Sequence, residues 1–135
     1  MKDLSSIFYV DDDEDDHLIF SIAAAELKTK VSLNAFLSGD ELIARLSDPD
    51  RELPDIIFLD MNMPGNFGNE CLVEIKKIPA LAKIPVILYS TGAHPGTVAK
   101  AIELGANEYV LKSPSIKDTV NNLQHLLSQY VGTPS

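Results

Sequence analysis

Polar residues that could do chemistry together stand at four places in this sequence, namely Asp11-Asp12, Asp60, Ser90-Thr91 and Lys112. Three carboxylates held close together at neutral pH repel one another, so they raise their pKa values or bind a cation. Oxygen ligands without His or Cys nearby favour a hard ion such as Mg²⁺. When few carboxylates bind it, Mg²⁺ keeps several water ligands, and phosphate oxygens can take these coordination positions. A lysine supplies positive charge to a phosphoryl group, and a serine hydroxyl can donate a hydrogen bond to it. An aspartate beside Mg²⁺ can be the nucleophile, so the pattern predicts phosphoryl acceptance on a carboxylate.

These residues can meet because each follows a predicted strand. Apolar and alternating patterns predict strands over 7–10, 31–36, 56–59, 85–89 and 109–111, and helices over 18–27, 39–46, 69–78, 95–104 and 116–130. Five alternating βα units predict an α/β fold with a doubly wound parallel sheet between two helical layers. Ligands bind such sheets beyond the carboxyl ends of the strands, where the polar residues stand.

Composition narrows the class of protein further. The 135 residues include 20 acidic and 11 basic side chains, a net charge of −9, without a cluster of Lys and Arg, so we expect no binding to nucleic acid. We expect one soluble domain over residues 1–131, a disordered tail over 132–135, no signal peptide and no membrane insertion. The lone Cys71 excludes an internal disulfide framework and favours a reducing, cytoplasmic location.

Much of the acidity lies in one run of six acidic residues at positions 11–16. Asp11 and Asp12 end the first strand, whereas Asp15 and Asp16 stand where the helix begins and complement its dipole, which suffices to explain them. A register shift of one residue would instead assign the cation to Asp12 and Asp13.

The segments IFYVDDD, IIFLDMNMPGNFG, IPVILYSTGA and ANEYVLKSP together resemble the response-regulator receiver domain of two-component phosphorelays, over essentially the whole chain. The resemblance implies a flavodoxin-like fold with strand order 2-1-3-4-5. It implies that Asp60 is the phosphoacceptor, that Asp11 and Asp12 bind Mg²⁺ with it, and that the backbone carbonyl of Asn62 is a further ligand.

By the same resemblance, Lys112 pairs with the phosphoryl group, Ser90 donates a hydrogen bond to it, and Tyr109 is an aromatic switch residue. Thr91 is bulkier than the Ala or Gly common at its position, so it would restrict water and alter the phosphoryl lifetime. A serine separates Lys112 from the following proline, which leaves the isomer of both intervening peptide bonds open.

The resemblance implies a stand-alone response regulator that accepts a phosphoryl group from a histidine kinase or phosphotransfer protein and then changes its protein contacts. It would not be an enzyme beyond slow self-phosphorylation from small phosphodonors and loss of the phosphoryl group. One alternative is a Mg²⁺-dependent phosphohydrolase of the haloacid-dehalogenase type, although Asn62 stands where that family has its second aspartate. The other is a degenerate receiver that acts only as a binding module.

Overall fold

The computed structural model describes residues 5–61, 67–92 and 95–132. Its strands are β1 (Ser5–Val10), β2 (Val31–Phe36), β3 (Ile56–Leu59), β4 (Val86–Ser90) and β5 (Glu108–Leu111). Its helices are α1 (Glu14–Ala25), α2 (Gly39–Leu46), α3 (Phe67–Lys77), α4 (Pro79–Ala82), α5 (Pro95–Glu103) and α6 (Ile116–Tyr130).

The five strands form one sheet in the order β2-β1-β3-β4-β5, and all pairs of neighbours are parallel. This confirms the flavodoxin-like α/β fold and its strand order. The central β3 is buried at every residue, as expected for a strand covered on both faces.

Each face of the sheet carries its own hydrophobic core. Successive residues of β1 alternate between the cores, with Ile7 and Tyr9 in one and Phe8 and Val10 in the other. Helices α1 and α6 cover the first core, and α2, α3, α4 and α5 cover the second. The carboxyl ends of β1, β3 and β4 therefore lie between two helical layers.

Helix α1 begins at Glu14, before the apolar segment 18–27 and next to Asp15 and Asp16, which were predicted to stand at its start. Asp13 is its N-cap, and the Asp13 side chain accepts hydrogen bonds from the backbone N–H groups of Asp15 and Asp16. The apolar pattern could not show this start, because the first turn of α1 consists of the exposed or half-buried residues Glu14, Asp15 and Asp16.

The other predicted helix starts agree closely with the structure. Ser38 caps α2 and Ser115 caps α6 through their side chains, as the capping boxes predict. The one-turn helix α4 was not predicted. Its carboxyl end is held by Lys76, whose Nζ donates to Ala82 O at 3.0 Å.

The peptide bonds on both sides of Ser113 are trans. In the predicted tail, the N–H of Gly132 donates to Leu127 O at 2.9 Å, and residues 133–135 lie outside the described part. None of the helices in the described ranges combines the length and apolar composition of a transmembrane span.

Candidate functional site

Backbone hydrogen bonds fix the residues at the strand ends. The N–H of Asp11 donates to β2, that of Asp60 to β1 and that of Lys112 to β4, over 3.0, 3.0 and 2.8 Å respectively. Each of these three residues lies one position beyond its strand, so the sheet ladder extends into the site. Their side chains therefore extend from backbone that is hydrogen-bonded to the neighbouring strand.

The carboxylates of Asp11, Asp12 and Asp60 converge at this edge. One oxygen from each can be selected so that all three lie within 4.8 Å of one another. Asp11 and Asp60 are buried, whereas Asp12 is exposed, so the cluster opens to solvent on one side. An all-oxygen donor set with an open side fits a hard divalent cation.

Lys112 brings a buried positive charge to the same carboxylates. Its Nζ lies 2.5 Å from Asp11 Oδ2, 2.7 Å from Asp16 Oδ2 and 3.7 Å from Asp60 Oδ2, and its side chain is 6% exposed. Burial alone would lower the pKa of Lys112, but the hydrogen bonds to Asp11 and Asp16 outweigh it and hold this pKa above its ordinary value. Lys112 is therefore a cation at neutral pH.

The Asp11 carboxylate accepts hydrogen bonds from three different groups. Its Oδ2 accepts from the Tyr9 hydroxyl and from Lys112, and its Oδ1 accepts from the backbone N–H of Asp13 at 2.9 Å. Burial would raise the pKa of Asp11, but these hydrogen bonds hold it below its ordinary value. Asp11 is thus an oriented anion in the resting protein.

Ser90 is the last residue of β4 and is completely buried. Its Oγ has no hydrogen-bond partner in the described structure. Most buried hydroxyl groups are hydrogen-bonded, so an unpaired one at a strand end suggests a partner that arrives only with a ligand. The neighbouring Thr91 is exposed at the end of the same strand.

Two further site residues were predicted, and the structure describes only one of them. Tyr109 lies half-buried on β5 and packs against the core between the sheet and α2 to α5. Asn62 lies outside the described residues.

Sequence reasoning missed three contacts of this site. The assignment of Asp16 to the helix start alone is corrected, because Asp16 also binds Lys112. Tyr9 was taken only as part of an apolar strand, although the two-residue period of β1 places it on the same face as Asp11. The Nε2 atom of His17 lies 2.5 Å from the backbone carbonyl oxygen of Asp11, and its ring packs on the Tyr9 ring with 5.1 Å between centroids.

Comparisons with known proteins agree with this geometry. A family model described as response regulator receiver domain matches residues 7–124. Response regulator Rcp1 of Synechocystis sp. is 38% identical over 80 residues, which are 59% of this chain and 54% of Rcp1. Two-component response regulator ORR8 of Oryza sativa subsp. indica is 30% identical over 120 residues, covering 89% of this chain and 96% of ORR8.

Solved structures give the same result. The phosphorylated cyanobacterial phytochrome response regulator RcpA superposes with a TM-score of 0.84 at 27% identity, covering 98% of this chain and 97% of RcpA. The Mn²⁺-bound form of Rcp1 superposes with a TM-score of 0.81 at 28% identity, covering 97% of both chains. The relatives are response regulators, a class of signalling phosphoacceptors rather than enzymes, and the phosphohydrolase alternative finds no support among them. The chain belongs to the response regulator receiver domain family and has a role in phosphorelay signalling.

Proposed function

We propose that Asp60 is the residue that accepts the phosphoryl group in this chain. The observation that carries the proposal is the convergence, around the buried Asp60 carboxylate, of a buried ammonium group 3.7 Å away and two further carboxylates. The unpaired buried hydroxyl of Ser90 at the end of the adjacent strand supports it.

The proposed donor is the phosphohistidine of a histidine kinase or of a phosphotransfer protein. An Asp60 carboxylate oxygen forms the new bond to phosphorus while the phosphorus–nitrogen bond breaks, and the leaving imidazole retains the electron pair and takes up a proton. Asp11, Asp12, Asp60 and the Asn62 carbonyl would hold Mg²⁺, which would supply positive charge that offsets the negative charge of the carboxylates and the phosphoryl oxygens.

The residues of the chain then hold the product. Lys112 pairs with one phosphoryl oxygen, and the Ser90 hydroxyl donates to another, which gives this hydroxyl the partner it lacks in the resting protein. The new group adds about −1.5 to −2 charges at this edge. Thr91, exposed beside Ser90, limits the access of water to the phosphorylated site.

The output is a change in protein contacts. Tyr109 lies on β5, and Lys112 directly follows its last residue. A phosphoryl group that attracts Lys112 therefore biases the position of β5 and of the Tyr109 ring. We propose a cytoplasmic setting for this exchange, in keeping with the single buried thiol of Cys71.

Intact-mass spectrometry after incubation with acetyl phosphate and MgCl₂ tests the phosphoacceptor. Wild-type protein should gain one phosphoryl group, and Asp60→Asn should gain none. Asp50→Asn makes the same charge change at an exposed loop residue and should label as wild type does. Equal labelling of Asp60→Asn and wild type would refute the assignment of Asp60.

Phosphotransfer profiling against purified histidine kinases of the host tests the donor. One kinase or its phosphotransfer protein should label wild-type protein much faster than the others do, and chelation of Mg²⁺ should stop the transfer. A protein that neither binds Mg²⁺ at millimolar concentration nor labels with any donor would instead be a degenerate receiver.

A further inference from the structure

Lys112 has an acidic partner that lies outside the three-carboxylate cluster. Its Nζ lies 2.5 Å from Asp11 Oδ2 and 2.7 Å from Asp16 Oδ2, with Asp60 Oδ2 farther away at 3.7 Å, and Asp16 is 96 residues away in sequence. Asp16 is not one of the three acids whose oxygens converge within 4.8 Å. Its side chain is 24% exposed, whereas that of Lys112 is 6% exposed.

This arrangement matters when a cation binds. A divalent cation at the cluster would attract the Asp11 carboxylate and repel the nearby ammonium group, and so would weaken the contact between Lys112 and Asp11. A nearly buried ammonium group without an anionic partner is strongly unfavourable. Asp16 lies on the first turn of α1, outside the cluster, and can keep its ion pair with Lys112 while Asp11 turns to the cation.

We propose that Asp16 is a positioning residue for Lys112, which retains the ammonium group when a divalent cation takes over Asp11 and thereby strengthens cation binding. The inference rests on the proposed function in that it assigns the cation to the Asp11, Asp12 and Asp60 cluster. Asp16 acts only through Lys112 and does not contact the cation.

Calorimetric titration of the whole chain with MgCl₂, and in parallel with MnCl₂, tests this role. Asp16→Asn should weaken cation affinity about three- to fivefold, because Lys112 depends on Asp16 more strongly in the cation-bound state than in the cation-free state, where it also contacts Asp11. Asp15→Asn is the matched control, because it makes the same charge change at the adjacent, exposed residue of the same helical turn. It should weaken affinity less than twofold, since Asp15 is exposed and solvent and salt screen its charge.

A double-mutant cycle separates action through Lys112 from direct attraction of the cation by Asp16. If Asp16 acts through Lys112, the effect of Asp16→Asn should shrink to below twofold in a Lys112→Ala background. If Asp16 attracts or binds the cation itself, the effect should persist or grow there, because the lysine no longer neutralises it. An effect of equal or larger size in the Lys112→Ala background overturns the proposal, as does equality of Asp16→Asn and Asp15→Asn in the wild-type background.

The conservative variant Asp16→Glu gives a second measurement that does not require Lys112→Ala to fold. The glutamate side chain is one methylene longer and can still reach Lys112 from the first turn of α1, so affinity should recover to within about twofold of wild type. Affinity as low as that of Asp16→Asn would count against the ion pair. These titrations need no phosphoryl donor, so a failure of Asp16 to act is distinct from a failure of Asp60 to be labelled.

Discussion

Ser90→Ala should stabilise the resting protein while it weakens the binding of a phosphoryl analogue. The Ser90 side chain is fully buried, and its Oγ has no hydrogen-bond partner within the described part of the chain. Burial of an unpaired hydroxyl costs about 1–3 kcal/mol, which the alanine variant does not incur. The space left by one oxygen atom subtracts only about 0.3 kcal/mol at about 24 cal/mol per Å³.

The net effect should be a gain of about 1 kcal/mol in the free energy of unfolding, which corresponds to a rise of about 3–5 °C in Tm for a domain of this size. Thermal unfolding followed by circular dichroism measures it. Thr119→Val is the control, because Thr119 is equally buried but its Oγ1 donates to Ser115 O at 2.9 Å. Loss of that paired hydroxyl should lower the free energy of unfolding by about 1 kcal/mol.

The affinity for beryllofluoride with Mg²⁺ should fall in Ser90→Ala, although the free energy of unfolding rises. A hydrogen bond to a charged group contributes about 1.5–3 kcal/mol, so Ser90→Ala should weaken beryllofluoride affinity at least about tenfold, and Thr119→Val should leave it unchanged. If Ser90→Ala lowers Tm as Thr119→Val does, the Ser90 hydroxyl is already paired in the resting protein and is not held in reserve for a ligand.

Three further predictions concern the surroundings of the site and the core. Tyr9→Phe removes the hydroxyl that donates to Asp11, so urea unfolding should show a loss of about 1.5–3 kcal/mol; an unchanged midpoint would show that the contact is absent in solution. Leu72→Ala opens a cavity at a fully buried position of α3 and should cost about 2–5 kcal/mol, whereas Leu18→Ala, at 59% exposure on α1, should change the free energy of unfolding by less than about 0.5 kcal/mol. Burial, followed by nearby acidic groups, raises the pKa of Cys71 to about 11, so Ellman's reagent at pH 8 should react slowly with native protein and rapidly in urea; rapid labelling of folded protein would contradict its burial.

The strand ends could be predicted because local patterns determine them. The apolar run 56–59 is followed by Asp60, and the structure ends β3 at Leu59, so the position of the phosphoacceptor candidate follows from the alternation of strand and loop alone. The strand order required the family resemblance, because the pattern of elements does not specify which strands are neighbours.

The contact of Lys112 with Asp16 could not be predicted from local patterns. Asp16 and Lys112 are 96 residues apart, and their pairing depends on where the fold places the first turn of α1 relative to the residue that follows β5. The helix dipole alone explains an acidic residue at position 16, so the sequence pattern contains no signal for the contact between Asp16 and Lys112. Tyr9 is different, because its spacing of two from Asp11 was available in the sequence and its polar hydroxyl in a buried strand called for a partner.

The wide separation of the site residues along the chain also sets an order of events during translation. Asp11 and Lys112 are 101 positions apart, and β5, which precedes Lys112, is an edge strand of the sheet and follows β1 to β4 along the chain. At about 5–20 residues per second, a ribosome exposes the carboxylates of the cluster several seconds before the ammonium group that pairs with them. The nascent chain therefore carries the three carboxylates before it carries the lysine, and the ion pair between Asp11 and Lys112 can form only after residue 112 has been synthesised.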